Sequence, residues 1–266
     1  MKIIKEAIAM GNGAAVYVPK EYSGRQVLVV VEENIEEIQK RIMSKLIPYL
    51  SNIIGVYLYG SYARKEQSID SDIDVLVVTY TKEEHIKSEL KDIDARIITL
   101  ESIKKTAQNY PLFIIPMLRE AVVFSNPLLL EEINKIQVDP RKFDWHLEEI
   151  ERTIEIIESF LARDRTEKVS ATYLVSIVIR LRACYLIQCI LRNDKYTHQR
   201  FKQMLIKREL KENEIEEAQT LYREIRHKEE TSLKVKRDNV QKFLELLKEY
   251  LQEIKNEKRK KTQKRN

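Results

Sequence analysis

Glycine and proline run out early in this chain of 266 residues. All five glycines (Gly11, Gly13, Gly24, Gly55, Gly60) fall in the first 60 positions, and neither residue occurs after Pro140. Both punctuate turns, so their absence excludes turn-rich β structure from the second half and predicts long helices there. Cysteine is nearly absent as well. Cys184 and Cys189 lie five apart in one apolar stretch, on different helix faces, which excludes a bridge and fits buried thiols in a cytoplasmic protein. No apolar run approaches the roughly 18 to 20 residues that cross a bilayer, so no membrane is expected as a partner. The N-terminal MKIIKEAIAMGNG breaks too soon for a secretory leader. His85, His146, His198 and His227 are scattered and form no metal-ligand spacing.

Net charge is +5, but its placement matters more than its size. Residues 255–266 hold seven Lys/Arg and one Glu, a balance of +6, which leaves the rest of the chain at −1. The basicity belongs to a tail (258–266), read as a solvated end with a weak nucleic-acid contact as the functional alternative. A broad basic face for binding RNA or DNA is not expected from the composition of the body.

Three zones follow. Residues 1–32 read as short strands (Lys2 to Ala9, Ala14 to Val18, Val27 to Val31) separated by turns at Gly11-Asn12-Gly13 and Lys20 to Gly24. Three such strands cannot enclose a core alone and need a second copy or the rest of the chain. Residues 33–126 alternate helix and strand. Asn34 to Leu50 is expected as a helix with Ile35, Ile38, Ile42, Leu46 and Ile47 on one face, ahead of a small mixed sheet covered on one side. The later expectations there are helix from Lys82 to Leu90, strand from Ala95 to Leu100, helix from Glu101 to Asn109 and an edge strand from Ala121 to Phe124. Residues 127–257 have helical periodicity throughout: Asp144 to Ala162, Val169 to Leu191, Thr197 to Ile206, Glu212 to His227 and Lys234 to Lys255 make an antiparallel bundle. Val169 to Leu191 is apolar nearly all round and is expected at its centre, where Arg180 and Arg182 need a partner or a ligand. The fold class is α+β.

The most informative segment is IIGVYLYGSYARKEQSIDSDIDVLVV, residues 53–78. An apolar run ends at Gly60-Ser61, and a second opens on Asp72-Ile73-Asp74. Residues two apart on a strand share a face, so Asp72 and Asp74 project together. Paired carboxylates repel unless a cation sits between them, and a hard divalent ion with oxygen ligands answers that need. Glycine lets the backbone approach a phosphate closely, and Ser61 at a helix start offers a hydroxyl and an N–H; Arg64, one turn on, reaches the same anion.

Gly60-Ser61-Tyr62-Ala63-Arg64 followed by Ser71-Asp72-Ile73-Asp74-Val75 resembles the signature of the DNA-polymerase-β-like nucleotidyltransferases, including the kanamycin-nucleotidyltransferase-like and minimal types. The likeness covers about residues 35–125. The smaller archaeal and bacterial members carry Gly after the Arg, where this chain has Lys65. The resemblance implies transfer of a nucleoside monophosphate, AMP from ATP, onto a hydroxyl with release of pyrophosphate and with two Mg²⁺ ions. Asp72, Asp74 and a third carboxylate would be the catalytic metal ligands, and Gly60, Ser61 and Arg64 the nucleotide contacts. Asp94 is preferred over Asp92 as the third carboxylate because it opens an apolar strand as the other two do. The acceptor is a small molecule, a protein side chain or an RNA end.

Three further resemblances set the alternatives. GNGAAVYVPKEYSGRQVLVVV resembles short AbrB-like modules, which implies a homodimer and, in that family, DNA contact. The rival function is therefore a dimeric DNA-binding regulator with an inactive transferase scaffold. Arg192 and His198 loosely resemble the paired element of HEPN ribonucleases, which implies RNA cleavage without added triphosphate. Tyr222-Arg223-Glu224-Ile225-Arg226 resembles a stretch in the helical domain of kanamycin-nucleotidyltransferase-like proteins, so that with Arg180 and Arg182 these become acceptor or nucleotide contacts.

Overall fold

Gly11, at a φ of +60°, turns the chain back on itself between β1 (Ile8–Met10) and β2 (Gly13–Ala15). Met10 pairs with Gly13, so the loop has two residues with glycine leading, a favoured way to reverse twisted strands. The computed structural model describes residues 3, 5–29, 33–67, 71–228 and 233–263. It divides into two units, Met1–Asn34 and Ile35–Asn266. In the first unit a 3₁₀ turn at Lys20–Tyr22 follows the hairpin. The expected strand over residues 27–31 is not found at 27–29, while residues 30 and 31, like 1, 2 and 4, lie outside the described residues. No described residue of this unit is buried, and Ile8, Met10, Tyr17, Val27, Leu28 and Val29 are all exposed. Two three-residue strands form no core.

The second unit begins with α1 (Ile35–Leu46), whose Ile38, Ile42 and Leu46 are fully buried. Ile47, expected on the same face, is 63% exposed because the helix tightens into a 3₁₀ turn at Ile47–Tyr49 around Pro48. Then follow β3 (Ile53–Tyr59), α2 (Gly60–Arg64), β4 (Asp74–Thr79), α3 (His85–Glu89), β5 (Asp94–Thr99), α4 (Leu100–Asn109), α5 (Pro111–Glu120) and β6 (Val122–Ser125). The sheet order is β5-β4-β3-β6, with β4 and β5 parallel and the other pairs antiparallel.

Both faces of this sheet are covered, not one. Val56, Leu58, Val75 and Val77 pack with Ile38, Ile42 and Leu46 of α1 and Ile86 of α3. Tyr57, Tyr59, Leu76 and Val78 point the other way, against Ile103 of α4 and Ile114, Ile115 and Leu118 of α5. Continuous apolar runs in β3 and β4 are what a strand buried on both sides requires. Helix α5 escapes sequence reading because Pro116 lies inside it; Pro111 at its first turn is well placed, but an internal proline removes one backbone bond.

Beyond the sheet come α6 (Pro127–Asn134), α7 (Asp144–Arg163), β7 (Lys168–Ser170), α8 (Ala171–Arg192), α9 (His198–Lys207), α10 (Glu212–Lys228), β8 (Lys234–Lys236) and α11 (Arg237–Gln263). The glycine-poor second half is thus helical as expected, except for the β7–β8 ribbon. There Val169 and Val235, both buried, pair across the starts of α8 and α11. Helix α8 is long and apolar enough to cross a membrane by length and composition. Here Leu174, Ile177, Leu181, Cys184 and Ile187 lie in one core cluster with Phe243, Leu247, Tyr250 and Ile254 of α11. Both cysteines are free and buried, with their thiols pushed up by burial to about 12 for Cys184 and about 11 for Cys189. The basic stretch from Lys258 to Gln263 continues α11, and Lys258 pairs with Asp144 at the start of α7; residues 264–266 lie outside the described residues.

Candidate active site

The apolar strand β3 stops where Gly60 takes a φ of +76°, a left-handed conformation that favours glycine. Space enforces the same choice, since a Cβ on Gly60 would stand 2.0 Å from Asp74 Oδ2. Helix α2 then closes on Lys65, also left-handed at φ 57°, whose N–H donates to the Tyr62 carbonyl at 3.1 Å. The position at which the resembled signature carries Gly therefore demands a conformation in which Gly is the unstrained residue.

Asp74 opens β4 and pairs with Asp94, the first residue of β5, in parallel register. Paired residues of parallel strands share a face, so the two carboxylates project together. Asp72 lies two residues before Asp74, with Ile73 buried between them on the other face. Gly60, Ser61, Arg64, Asp72, Asp74 and Asp94 all line one cavity of about 850 Å³. The structure thus gathers every residue singled out from the sequence at this site. Asp92 stands apart, ion-paired with Arg41 and Lys45 of α1 at 2.5 Å each.

The carboxylates feel one another. Burial, then the charges of Asp94 and Asp72, raise the Asp74 carboxyl from 3.8 to about 6, against a smaller opposing effect of Arg64. Among the described residues no group of three or more His, Cys, Asp or Glu side chains is arranged to hold a metal ion. In donor type the set suits a hard divalent cation: three carboxylates on one edge, one of them destabilised by burial and by the others' charge, beside a glycine cradle that a methyl group would fill.

A fourth carboxylate went unseen in the sequence. Glu120, the last residue of α5, accepts the Gly60 N–H at 2.8 Å and an Arg64 Nη1–H at 2.7 Å. Arg64 also donates from Nε to Glu66 at 2.8 Å, and its side chain is 13% exposed. Two donors expected to face a phosphate are therefore engaged by protein carboxylates, while the Ser61 hydroxyl has no partner among the described residues.

The bundle supplies the opposite wall. Arg182 of α8 lies over the Tyr196 ring, 5.1 Å from its centroid, and Arg64 lies 5.6 Å from the same centroid. Arg223 and Glu224 of α10 reach the cavity too, and Arg96 of β5 joins them. Neither Arg182 nor Arg223 makes an ion pair among the described residues. Arg180 is directed elsewhere, bonded to Glu149 of α7 at 2.6 Å; the side chain of Arg226 is outside the described residues. Arg192 is held bidentately by Glu257 at 2.8 Å on each bond, and His198 pairs with Gln219 at 3.0 Å. Neither lines this cavity.

No curated protein matches the chain. Among solved structures, the chain is similar to a spectinomycin adenyltransferase, AAD(9), from Enterococcus faecialis with ATP and spectinomycin, at 14% identity, covering 83% of this chain and 100% of that one with a TM-score of 0.47. It is also similar to a toxin–antitoxin structure with AMP-PNP, at 15% identity over 46% of this chain and 98% of that one, TM-score 0.28. A toxin–antitoxin mutant structure, MntA-HpeT, matches to the same extent with a TM-score of 0.29. The decisive match is with the family model for a nucleotidyltransferase domain, over residues 36–169. That span is 134 of the 266 residues and contains the turn, the three aspartates and Glu120. The chain belongs to the nucleotidyltransferase domain family and is a nucleotidyltransferase.

Proposed function

We propose that the protein transfers AMP from ATP to a hydroxyl of an acceptor held between the sheet and the bundle, with release of pyrophosphate. The observation that carries this reading is the parallel pairing of Asp74 with Asp94 on the cavity edge beside Gly60 and Ser61. Two Mg²⁺ ions held by Asp72, Asp74 and Asp94 would supply charge neutralisation for the triphosphate. The chain's own groups do the rest. Ser61 Oγ, without a partner among the described residues, donates to a phosphate oxygen. Arg182 and Arg223, which make no ion pair among the described residues, draw the triphosphate's negative charge across the cavity from the bundle wall. The acceptor oxygen bonds to the α-phosphorus as the bond to the bridging oxygen breaks, and pyrophosphate takes that electron pair. Asp94, the exposed member of the carboxylate pair, is placed to take the acceptor's proton.

The first unit adds an oligomeric reading. Its uncovered Ile8, Met10, Val27, Leu28 and Val29 support a homodimer through an AbrB-like module. DNA contact is the less supported role: residues 1–34 hold four Lys/Arg and four Glu, so no net positive charge favours a phosphate backbone.

Thermal unfolding with each of the four nucleoside triphosphates, with and without Mg²⁺, tests the main proposal. ATP with Mg²⁺ should raise the midpoint for the wild type and leave Asp72→Asn and Asp74→Asn unmoved. A wild-type protein indifferent to every triphosphate and metal combination would sink the reading.

A further inference from the structure

Glu120 is a part-buried carboxylate to which the transfer chemistry gives no role. Its side chain is 9% exposed, with one oxygen on the Gly60 N–H and the other on Arg64. Arg64 continues to Glu66, and Glu66 accepts the backbone N–H groups of His198, at 2.9 and 3.1 Å, and of Gln199, at 3.3 Å. Those are the first-turn amides of α9, where helices leave donors unsatisfied. Thr197 caps the next one, the N–H of Arg200. The residue before Glu120 is tied to the bundle as well: Arg119 donates to the carbonyls of Cys189 and Asp194 at the end of α8, at 2.9 and 3.1 Å. An unbroken line of charge-assisted bonds thus runs from the Gly60–Ser61 turn, through Glu120, Arg64 and Glu66, to the start of a bundle helix 132 residues beyond Glu66 in sequence.

We propose that Glu120 is a positioning residue, and that Glu120, Arg64 and Glu66 form a relay holding the Gly60–Ser61 turn in shape only while α9 is docked. Its role in nucleotide binding rests on the nucleotidyl-transfer reading; the relay itself does not. Several consequences follow from the geometry. A phosphate oxygen on the Gly60 N–H would meet the negative charge of Glu120, so the triphosphate uses the Ser61 side of the turn. Arg64 acts through the turn rather than on the nucleotide. Whatever occupies the bundle wall and shifts α9 changes the turn, which couples acceptor binding to nucleotide binding.

Hydrogen exchange read by mass spectrometry on the full chain tests the relay, alongside calorimetry with ATP and Mg²⁺. In Glu66→Gln the α9 amides at 198 and 199 should exchange faster, and so should residues 60–64, with ATP bound about tenfold more weakly, the size expected for losing one charge-assisted bond. Glu120→Gln keeps an acceptor for Gly60 but loses the charge, and should fall between the wild type and Glu120→Ala in both readouts. A residue that merely capped α9 would change exchange at 198 and 199 alone. Unchanged exchange at 60–64 in Glu66→Gln overturns the relay, whatever the nucleotide result. Tighter ATP binding by Glu120→Ala overturns it too, because the carboxylate would then be competing with phosphate. If the exchange coupling holds but the wild type binds no nucleotide, the relay stands and the transferase reading of the turn falls.

Discussion

The Asp74 carboxylate lies directly against the Cα of Gly60, so closely that a methyl group there would overlap Oδ2 at 2.0 Å. This contact joins the Gly60–Ser61 turn to the acidic edge, and it disfavours replacement of Gly60 on two grounds. Its φ of +76° strains any other residue, and the added carbon displaces an aspartate. Gly60→Ala is expected to cost about 1–3 kcal/mol of stability, from the conformation and the displaced side chain together. It should also abolish stabilisation by ATP with Mg²⁺. Denaturant unfolding with and without nucleotide checks both; a variant that binds as the wild type does would show that the contact is not needed.

Lys65 poses the opposite case. It sits in the left-handed conformation at the end of α2, φ 57°, and its side chain has no ion pair among the described residues. Lys65→Gly should relieve the backbone and stabilise the protein by about 0.5–1 kcal/mol, after allowing for the freer unfolded chain. The nucleotide response should be unchanged. A midpoint that drops on denaturant unfolding would mean that the lysine stem contributes more than its backbone costs.

These two positions show what the sequence reveals and what it hides. Gly60, Ser61 and the three aspartates are legible because each ends or opens an apolar run, so strand periodicity alone puts them at one edge of a sheet. Asp94 in preference to Asp92 follows from the same rule, and the β4–β5 register places it opposite Asp74. Glu120 is illegible for a physical reason: its partners lie 56 and 60 residues away, and the helix that carries it contains a proline. Arg64 looks like a phosphate ligand from its spacing, and only the tertiary fold reveals that two glutamates already hold it. The β7–β8 ribbon is hidden likewise, since three-residue strands such as Lys168–Ser170 carry too little pattern to separate from the helices they precede.

Arg180 and Arg182, two apart on α8, should behave differently although the sequence treats them alike. Arg180 is bonded to Glu149, whereas Arg182 lines the cavity, lies over the Tyr196 ring and makes no ion pair among the described residues. Arg182→Ala should weaken ATP binding about tenfold or more and reduce its salt dependence, with little change in stability. Arg180→Ala should leave binding intact and lower stability by about 1 kcal/mol, since its pair is partly exposed. Titration calorimetry at two salt concentrations separates them, and equal effects would mean that the cavity wall is assigned to the wrong residue.

The acidic edge also contributes to how stability responds to pH. The Asp74 carboxyl is raised from 3.8 to about 6 by burial and by its neighbours' charge, so between those values the folded protein binds more protons than the unfolded chain. The contribution of Asp74 to stability therefore falls as pH rises through this window, and its cost is fully present above it, against the opposite contribution of carboxylates held low by cations, such as Asp92 beside Lys45 and Glu253 beside Arg208. Glu120 is raised by burial as well and contributes in the same direction as Asp74. Asp74→Asn removes the larger share, so its stability should decline less from pH 4 to 6, and at pH 7 it should exceed the wild type by about 1–2 kcal/mol once solvent screening is allowed for. Divalent cations supply the missing test of cause. If repulsion among Asp72, Asp74 and Asp94 is what destabilises the edge, 10 mM Mg²⁺ should stabilise the wild type more at pH 7 than at pH 5, because only the ionised cluster attracts it, and Asp74→Asn should lose most of that difference. A difference in unfolding midpoint between Asp74→Asn and the wild type that does not grow from pH 4 to 7 would show that the three carboxylates do not burden one another.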